Sequence, residues 1–178
     1  PATIFLATDY IGTSRWFWPD ELAYVLGQAR QQMTEVDFRG ALASVLAEVT
    51  QAEGSRPPSF LPSADSDELI EQCKNLQPET IAGFVRRSSQ ALGVRLPDAR
   101  VLLDWNEVKE MAKHNITFGP HSCSHRILTN IPLSDVQDEL VRSREALLRN
   151  DLAPVPVFCY PNGSVDREIK NLTKAAGY

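Results

Sequence analysis

Ile116-Thr117-Phe118-Gly119-Pro120-His121-Ser122-Cys123-Ser124-His125 sets the reading of the rest of the chain. Its β-branched and aromatic start predicts a strand, Gly119-Pro120 breaks it, and two histidines follow four residues apart. Upstream, Asp104-Trp105-Asn106-Glu107 has the spacing of an N-cap whose fourth residue folds back, which predicts a short helix through Lys113. Downstream, Ser134 to Gln137 repeats that spacing, and Val136, Leu140, Leu147 and Leu148 mark a helix to about Asn150. Val155-Pro156-Val157-Phe158 reads as the next strand, ended by the turn Tyr160-Pro161-Asn162-Gly163. Asp166 to Ala176 reads as a helix with Gly177 as its C-cap. This alternation favours parallel strands joined by crossovers, an α/β fold built as an open sheet or a barrel.

The opening Pro1-Ala2-Thr3-Ile4-Phe5-Leu6-Ala7 predicts a further strand, of the apolar kind buried on both faces of a parallel sheet. A chain that opens inside a core element, and stops before the strand its last helix calls for, is expected to be a partial domain with both flanks missing. Leu22, Val25, Leu26 and Ala29 predict a helix begun by Pro19 or Asp20. From 31 to 100 the texture becomes helical. Leu42, Val45, Leu46 and Val49 share a face, a Pro-rich break covers 56–62, and helices start at Ser66 and Pro78, so this stretch is expected to be a helical insertion.

The 178 residues suit one domain, and 43% hydrophobic with 23% charged is the balance of a globular chain. A net charge of -5 without a basic, aromatic-laced run argues against a nucleic-acid partner. No apolar stretch is long enough to span a bilayer, and no signal segment is visible, which leaves the compartment open between extracytoplasmic and cytoplasmic. Cys73, Cys123 and Cys159 are odd in number and widely spaced, offering neither a disulfide framework nor a Cys-x-x-Cys metal pair.

Chemistry gathers in two places, each just after a predicted strand, where parallel α/β folds put their ligands. On one turn of helix His121 and His125 would point the same way and meet one ion. Spacing alone leaves a second reading open, in which the pair caps a turn or lies on a wet surface. At Tyr160-Pro161-Asn162-Gly163, Asn162 and Gly163 tolerate unusual backbone angles, so the turn could aim N–H groups at an oxyanion or be a plain strand-to-helix turn. His114 and Asn115 read as a helix C-cap, and Trp16, Phe17 and Trp18 as packing or as a sugar-stacking surface. The carboxylates Asp65, Asp67, Glu68, Asp135, Asp138 and Glu139 fall in first turns of helices, where negative charge is favourable, and are expected to be solvated.

Taken in order, His121-Ser122-Cys123-Ser124-His125 with Ile127-Leu128-Thr129, then Phe158-Cys159-Tyr160-Pro161-Asn162-Gly163, then Ala175-Ala176-Gly177-Tyr178, resemble the polysaccharide deacetylases of carbohydrate esterase family 4, the NodB-homology domain. Residues 1 to 26 and 101 to 178 carry the resemblance, and Phe-x-Tyr-Pro without an arginine near Cys159 is similar to the exopolysaccharide-type subgroup. The resemblance implies a distorted (β/α) barrel and a divalent metal, commonly zinc, on His121 and His125. It also implies hydrolysis of N-acetyl groups on an amino-sugar polysaccharide, with the backbone N–H of Asn162 as oxyanion donor and Tyr160, Pro161 and Trp18 lining the substrate site. The family's paired aspartates, which supply the base and the third ligand, have no counterpart here, since no Asp-Asp pair exists in the sequence. The chain alone is therefore expected to be inactive. The alternatives are a non-catalytic module of the same fold that binds carbohydrate or protein, and a small-molecule metallohydrolase on an unrelated α/β fold.

Overall fold

The computed structural model describes residues 1–52 and 65–178, and the expected Pro-rich break at 56–62 lies outside the described residues. Two compact units emerge: one from Pro1–Arg15 with Ala99–Tyr178, the other from Trp16–Asp98.

The second unit is four helices, α1 (Trp18–Arg30), α2 (Glu35–Ala52), α3 (Ser66–Cys73) and α4 (Pro78–Ala91). Pro19 stands in the first turn of α1, where its missing N–H leaves no helical bond unmade. Leu22, Val25, Leu26 and Ala29 of α1 are wholly buried. They join Phe38, Leu42, Val45, Leu46 and Val49 of α2, Leu69 and Cys73 of α3, and Ile81 and Phe84 of α4 in one core. The helical periodicity of these apolar positions thus closes a core of its own, and α1 belongs with it as well as the 31–100 stretch. Trp18 packs against that core, and Trp16 meets Tyr24 edge-on at 5.5 Å between ring centroids.

The first unit holds a parallel pair, β1 (Ala2–Leu6) and β2 (Ile116–Pro120), with α5 (Trp105–Ala112), α6 (Leu133–Arg149) and α7 (Arg167–Ala175). Register runs from Ala2 opposite Ile116 to Leu6 opposite Pro120, and the hydroxyls of the facing Thr3 and Thr117 lie 2.8 Å apart. Among the described residues the sheet has these two strands. Contrary to the reading of a strand buried on both faces, Ala2 and Thr3 are exposed and burial is complete only at Leu6.

Val155–Phe158 does not form the expected third strand. It runs beside β2, with the Val155 N–H on the Phe118 carbonyl at 2.9 Å and the Cys159 N–H on the Pro120 carbonyl at 3.2 Å. The interruption has a simple cause: Pro120 has no N–H to return a bond, and Pro154 and Pro156 have none to give.

The capping box at Asp104 forms, with the carboxylate accepting the Asn106 and Glu107 N–H groups at 2.8 and 2.9 Å and Glu107 accepting the Asp104 N–H at 2.8 Å. At the other end Asn115 takes the left-handed turn, with φ 61°. The matching spacing at Ser134 is not used as a cap; α6 starts one residue earlier, at Leu133 behind Pro132, whose fixed φ already presets the helix entry. Asp166 caps α7 through the Ile169 N–H at 2.8 Å. Val108, Phe118, Leu6 and Leu147 form one core of this unit, and Leu128, Val136, Leu140, Phe158 and Ile169 a second. The histidine loop crosses from the first core to the second.

Candidate functional site

His121 follows directly on β2, and the ladder between the strands runs on into it. The His121 N–H bonds the Leu6 carbonyl at 2.9 Å, and the Thr8 and Asp9 N–H groups bond the Ser122 and Cys123 carbonyls at 3.2 and 3.0 Å. The expected helical turn between the histidines does not form. Ser122 and His125 both have left-handed backbones, φ 63° and 58°, and the Ser122 hydroxyl accepts the His125 N–H at 2.9 Å. The loop still brings the imidazoles together, with ring centroids 4.9 Å apart.

The ring of His121 is oriented by the second predicted place. Its Nδ1 lies 2.8 Å from the Cys159 carbonyl oxygen. A carbonyl only accepts, so Nδ1 carries the proton and the Nε2 lone pair is left for a ligand. Burial, and then the neighbouring His121, push the pKa of His125 down to about 4, so this ring is neutral at physiological pH. Two imidazoles side by side, one held from behind by a carbonyl, are the donors a borderline-soft divalent ion takes.

Glu139, expected to be solvated, is instead the buried centre of this loop. Its side chain is 4% exposed and reaches from α6 to accept the Cys123 and Ser124 N–H groups at 2.6 and 2.9 Å and the Ser124 hydroxyl. Arg126 completes the group, with Nη2 at 3.2 Å from Glu139 Oε1, Nε at 3.0 Å from Ser124 Oγ and Nη1 at 3.3 Å from Asp135 Oδ2. Burial alone would raise the Glu139 pKa, but the bonds from Ser124, Cys123 and Arg126 outweigh it and hold the carboxyl below its ordinary value. One signal in the sequence pointed here: Glu139 lies in the inward register of α6 with Val136, Leu140, Ser143 and Leu147, all buried.

The turn after Phe158 has the backbone its residues allow. Asn162 and Gly163 take φ 58° and 71°, and the turn's own bonds use the Gly163 N–H, on the Tyr160 carbonyl at 2.9 Å, and the Ser164 N–H, on the Pro161 carbonyl at 3.3 Å. They do not use the Asn162 N–H. Pro161 is buried, and the Tyr160 hydroxyl donates to Thr173 of α7 at 3.1 Å.

The model of a protein family described as polysaccharide deacetylase matches residues 80–178, more than half of the chain. The chain belongs to the polysaccharide deacetylase family. Both chemical places lie inside the match, as do residues 80–100, which carried none of the resemblance in the sequence, whereas residues 1–26, which did, lie before it. Membership sets aside the reading of a small-molecule metallohydrolase on an unrelated fold. No curated protein and no solved structure matched the chain.

Deacetylases of this family are hydrolases acting on amide bonds of polysaccharides, and the residues that could serve such chemistry here are unevenly placed. His121, His125 and the Cys159–Gly163 turn share one unit, tied through the His121–Cys159 bond. Trp18 belongs to the other unit and packs on its helical core. Among the described residues no group of three His, Cys, Asp or Glu side chains could hold a metal, and no helix is long and apolar enough to cross a membrane.

Proposed function

We propose that this chain carries two of the metal ligands of a deacetylase that removes N-acetyl groups from an amino-sugar polysaccharide. In this reading it is of the exopolysaccharide type, within a distorted (β/α) barrel of which β1 and β2 are part. The observation that supports it is the pairing of two imidazoles with ring centroids 4.9 Å apart, with the His121 Nδ1–H held by the Cys159 carbonyl. His121 Nε2 and His125 would hold a divalent ion, zinc being the natural match to imidazole donors. Once bound, the ion supplies Lewis-acid activation for hydrolysis of the amide.

The chain's own contribution is to place groups around that point. The His121 Nδ1–H donates to the Cys159 carbonyl, which favours this ring orientation and this tautomer. The Asn162 N–H, which the turn's own bonds leave unused, is the donor for the oxyanion. Tyr160 and Pro161 line the substrate side, with Tyr160 fixed by its bond to Thr173. The family resemblance assigns the third ligand and the catalytic base to a paired-aspartate motif, and no Asp-Asp pair occurs in this sequence. On this reading the chain alone is inactive.

The test is elemental analysis of the full-length protein. His125→Ala removes bound zinc while circular dichroism shows the fold retained, and zinc at the wild-type level in that variant refutes the ligand assignment. The alternative is a non-catalytic module of the same fold that binds carbohydrate or protein, favoured if the full gene lacks the aspartate pair. An aspartate pair elsewhere in the full gene, with zinc-dependent release of acetate, decides against it.

A further inference from the structure

We infer that Glu139 is a positioning residue for the histidine pair: its buried carboxylate fixes the backbone between His121 and His125 and thereby sets the separation of the two rings. The inference rests on the reading of His121 and His125 as metal ligands. The left-handed residues Ser122 and His125 turn the chain sharply at either end of Cys123-Ser124. This leaves two successive N–H groups pointing the same way, a concave anion site of the kind that oriented backbone amides form. Glu139 Oε2 fills it from α6, at 2.6 and 2.9 Å from the two nitrogens. Oε1 takes the Ser124 hydroxyl and the Arg126 guanidinium, so both oxygens are committed.

The carbonyls of Ser122 and Cys123 are taken by the Thr8 and Asp9 N–H groups. The loop is thus clamped between the strand continuation on one side and a helix carboxylate on the other. Without the carboxylate, two buried N–H groups lose their acceptor, and the left-handed turn at His125 loses what compensates its strain.

A neutral amide cannot replace this group. Glutamine has one acceptor oxygen, and the NH2 would face either the Cys123 and Ser124 N–H groups or the Arg126 guanidinium, donor against donor. Aspartate keeps the charge but is one methylene shorter.

The experiment uses the full-length protein and two readouts. In calorimetric titration with zinc chloride, Glu139→Gln binds about 10- to 100-fold more weakly than wild type, the range in which outer-shell partners of metal ligands act. Its crystal structure shows the 122–125 loop moved and the rings at a different separation. Wild-type zinc affinity together with an unmoved loop overturns the inference, however far the melting temperature falls. If His125→Ala leaves zinc binding untouched, the ligand reading has failed, and the loop position in the Glu139→Gln crystal alone decides whether Glu139 positions the rings. If Glu139→Gln does not fold, Arg126→Met, which removes the contacts to Glu139 Oε1 and Ser124 while leaving the backbone bonds, is expected to weaken zinc about 3- to 10-fold, below the outer-shell range because the clamp is only partly opened. No change there overturns the inference.

Discussion

Replacing Gly119 by alanine should damage the protein more than its single methyl implies. Gly119 is buried in β2 immediately before Pro120 and His121, and a Cβ built there would lie 2.6 and 2.7 Å from two ring carbons of Phe5 and 2.8 Å from a methyl of Val155. Carbon atoms in contact rest at about 3.5–4.0 Å, so each neighbour must retreat by roughly 1 Å. Neither has an easy exit. Phe5 is a rigid ring on the paired strand, and Val155 is anchored by its N–H on the Phe118 carbonyl. Overpacking typically costs about 1–3 kcal/mol, and a methyl caught between two anchored groups belongs at the top, near 3 kcal/mol. Urea unfolding followed by circular dichroism measures this as a fall in midpoint at constant slope. The close approach itself is tested by relief: in Gly119→Ala/Val155→Ala the added methyl has lost one of its two obstacles, so the penalty of Gly119→Ala should shrink to about half in the double-mutant cycle. A loss below about 0.5 kcal/mol for Gly119→Ala, or strict additivity with Val155→Ala, refutes the reasoning, because contacts at the observed distances cannot be that cheap.

Asp104→Ala should destabilise by about 1 kcal/mol, since two N–H groups of the first turn of α5 lose their acceptor; a midpoint unchanged within error counts against the cap. Asn162→Ala should cost about 1 kcal/mol for holding a left-handed backbone, while Asn162→Gly should be nearly neutral in stability, and equal losses in the two would show that φ 58° is not what selects the residue. Acid should loosen the first unit in a defined window. Glu139 has its folded pKa below the ordinary value, so its contribution is fully present above the unfolded pKa near 4.5 and is lost as pH falls through the lowered one. Glu107 behaves alike, held at about 2 by the hydrogen bond from Arg100 and then by the Asp104 N–H. With chelator present, the urea midpoint should therefore begin to decline below about pH 6.5, where the unfolded His125 takes up a proton that the folded ring refuses down to about 4, and should go on declining below about pH 4.5 as Glu139 and Glu107 lose their contributions; Glu139→Gln should flatten that lower part. A wild-type midpoint unchanged down to pH 3 would count against both assignments.

What the sequence disclosed depended on how local its cause was. Capping at Asp104 and the left-handed Asn115 are decided within four residues, and each formed as its local sequence predicted. The buried faces of α1 and α2 likewise follow from periodicity alone. Val155–Phe158 failed as a strand for a reason only partly local: its own Pro154 and Pro156 lack N–H groups, and it runs beside Pro120, whose lack of an N–H matters only once the neighbour is known. The histidine loop failed as a helical turn for a non-local reason. Four-residue spacing is compatible with a helix, but the N–H groups of Cys123 and Ser124 have an acceptor elsewhere, in a carboxylate more than a dozen residues downstream.

That carboxylate shows how function was half legible. The spacing of His121 and His125 marks candidate donors, yet spacing does not orient a ring. Orientation comes from two groups that no local motif links to the pair: the Cys159 carbonyl behind His121 and the Glu139 carboxylate beneath the loop. An acid in the first turns of a helix is usually placed in water by the favourable dipole there, and Asp135, 41% exposed, follows that expectation. Glu139 sits one turn further in, on the same stripe as Val136, Leu140, Ser143 and Leu147, and is 4% exposed. A carboxylate is expensive to bury unless donors await it, so a glutamate in an apolar register is itself a statement that N–H groups or a cation lie across from it. Read that way, the helix after the histidines carries information about the loop before it. The pair, the turn at Cys159 and α6 are then one arrangement, in which a carbonyl behind His121 and a carboxylate beneath the loop hold the segment that carries both imidazoles.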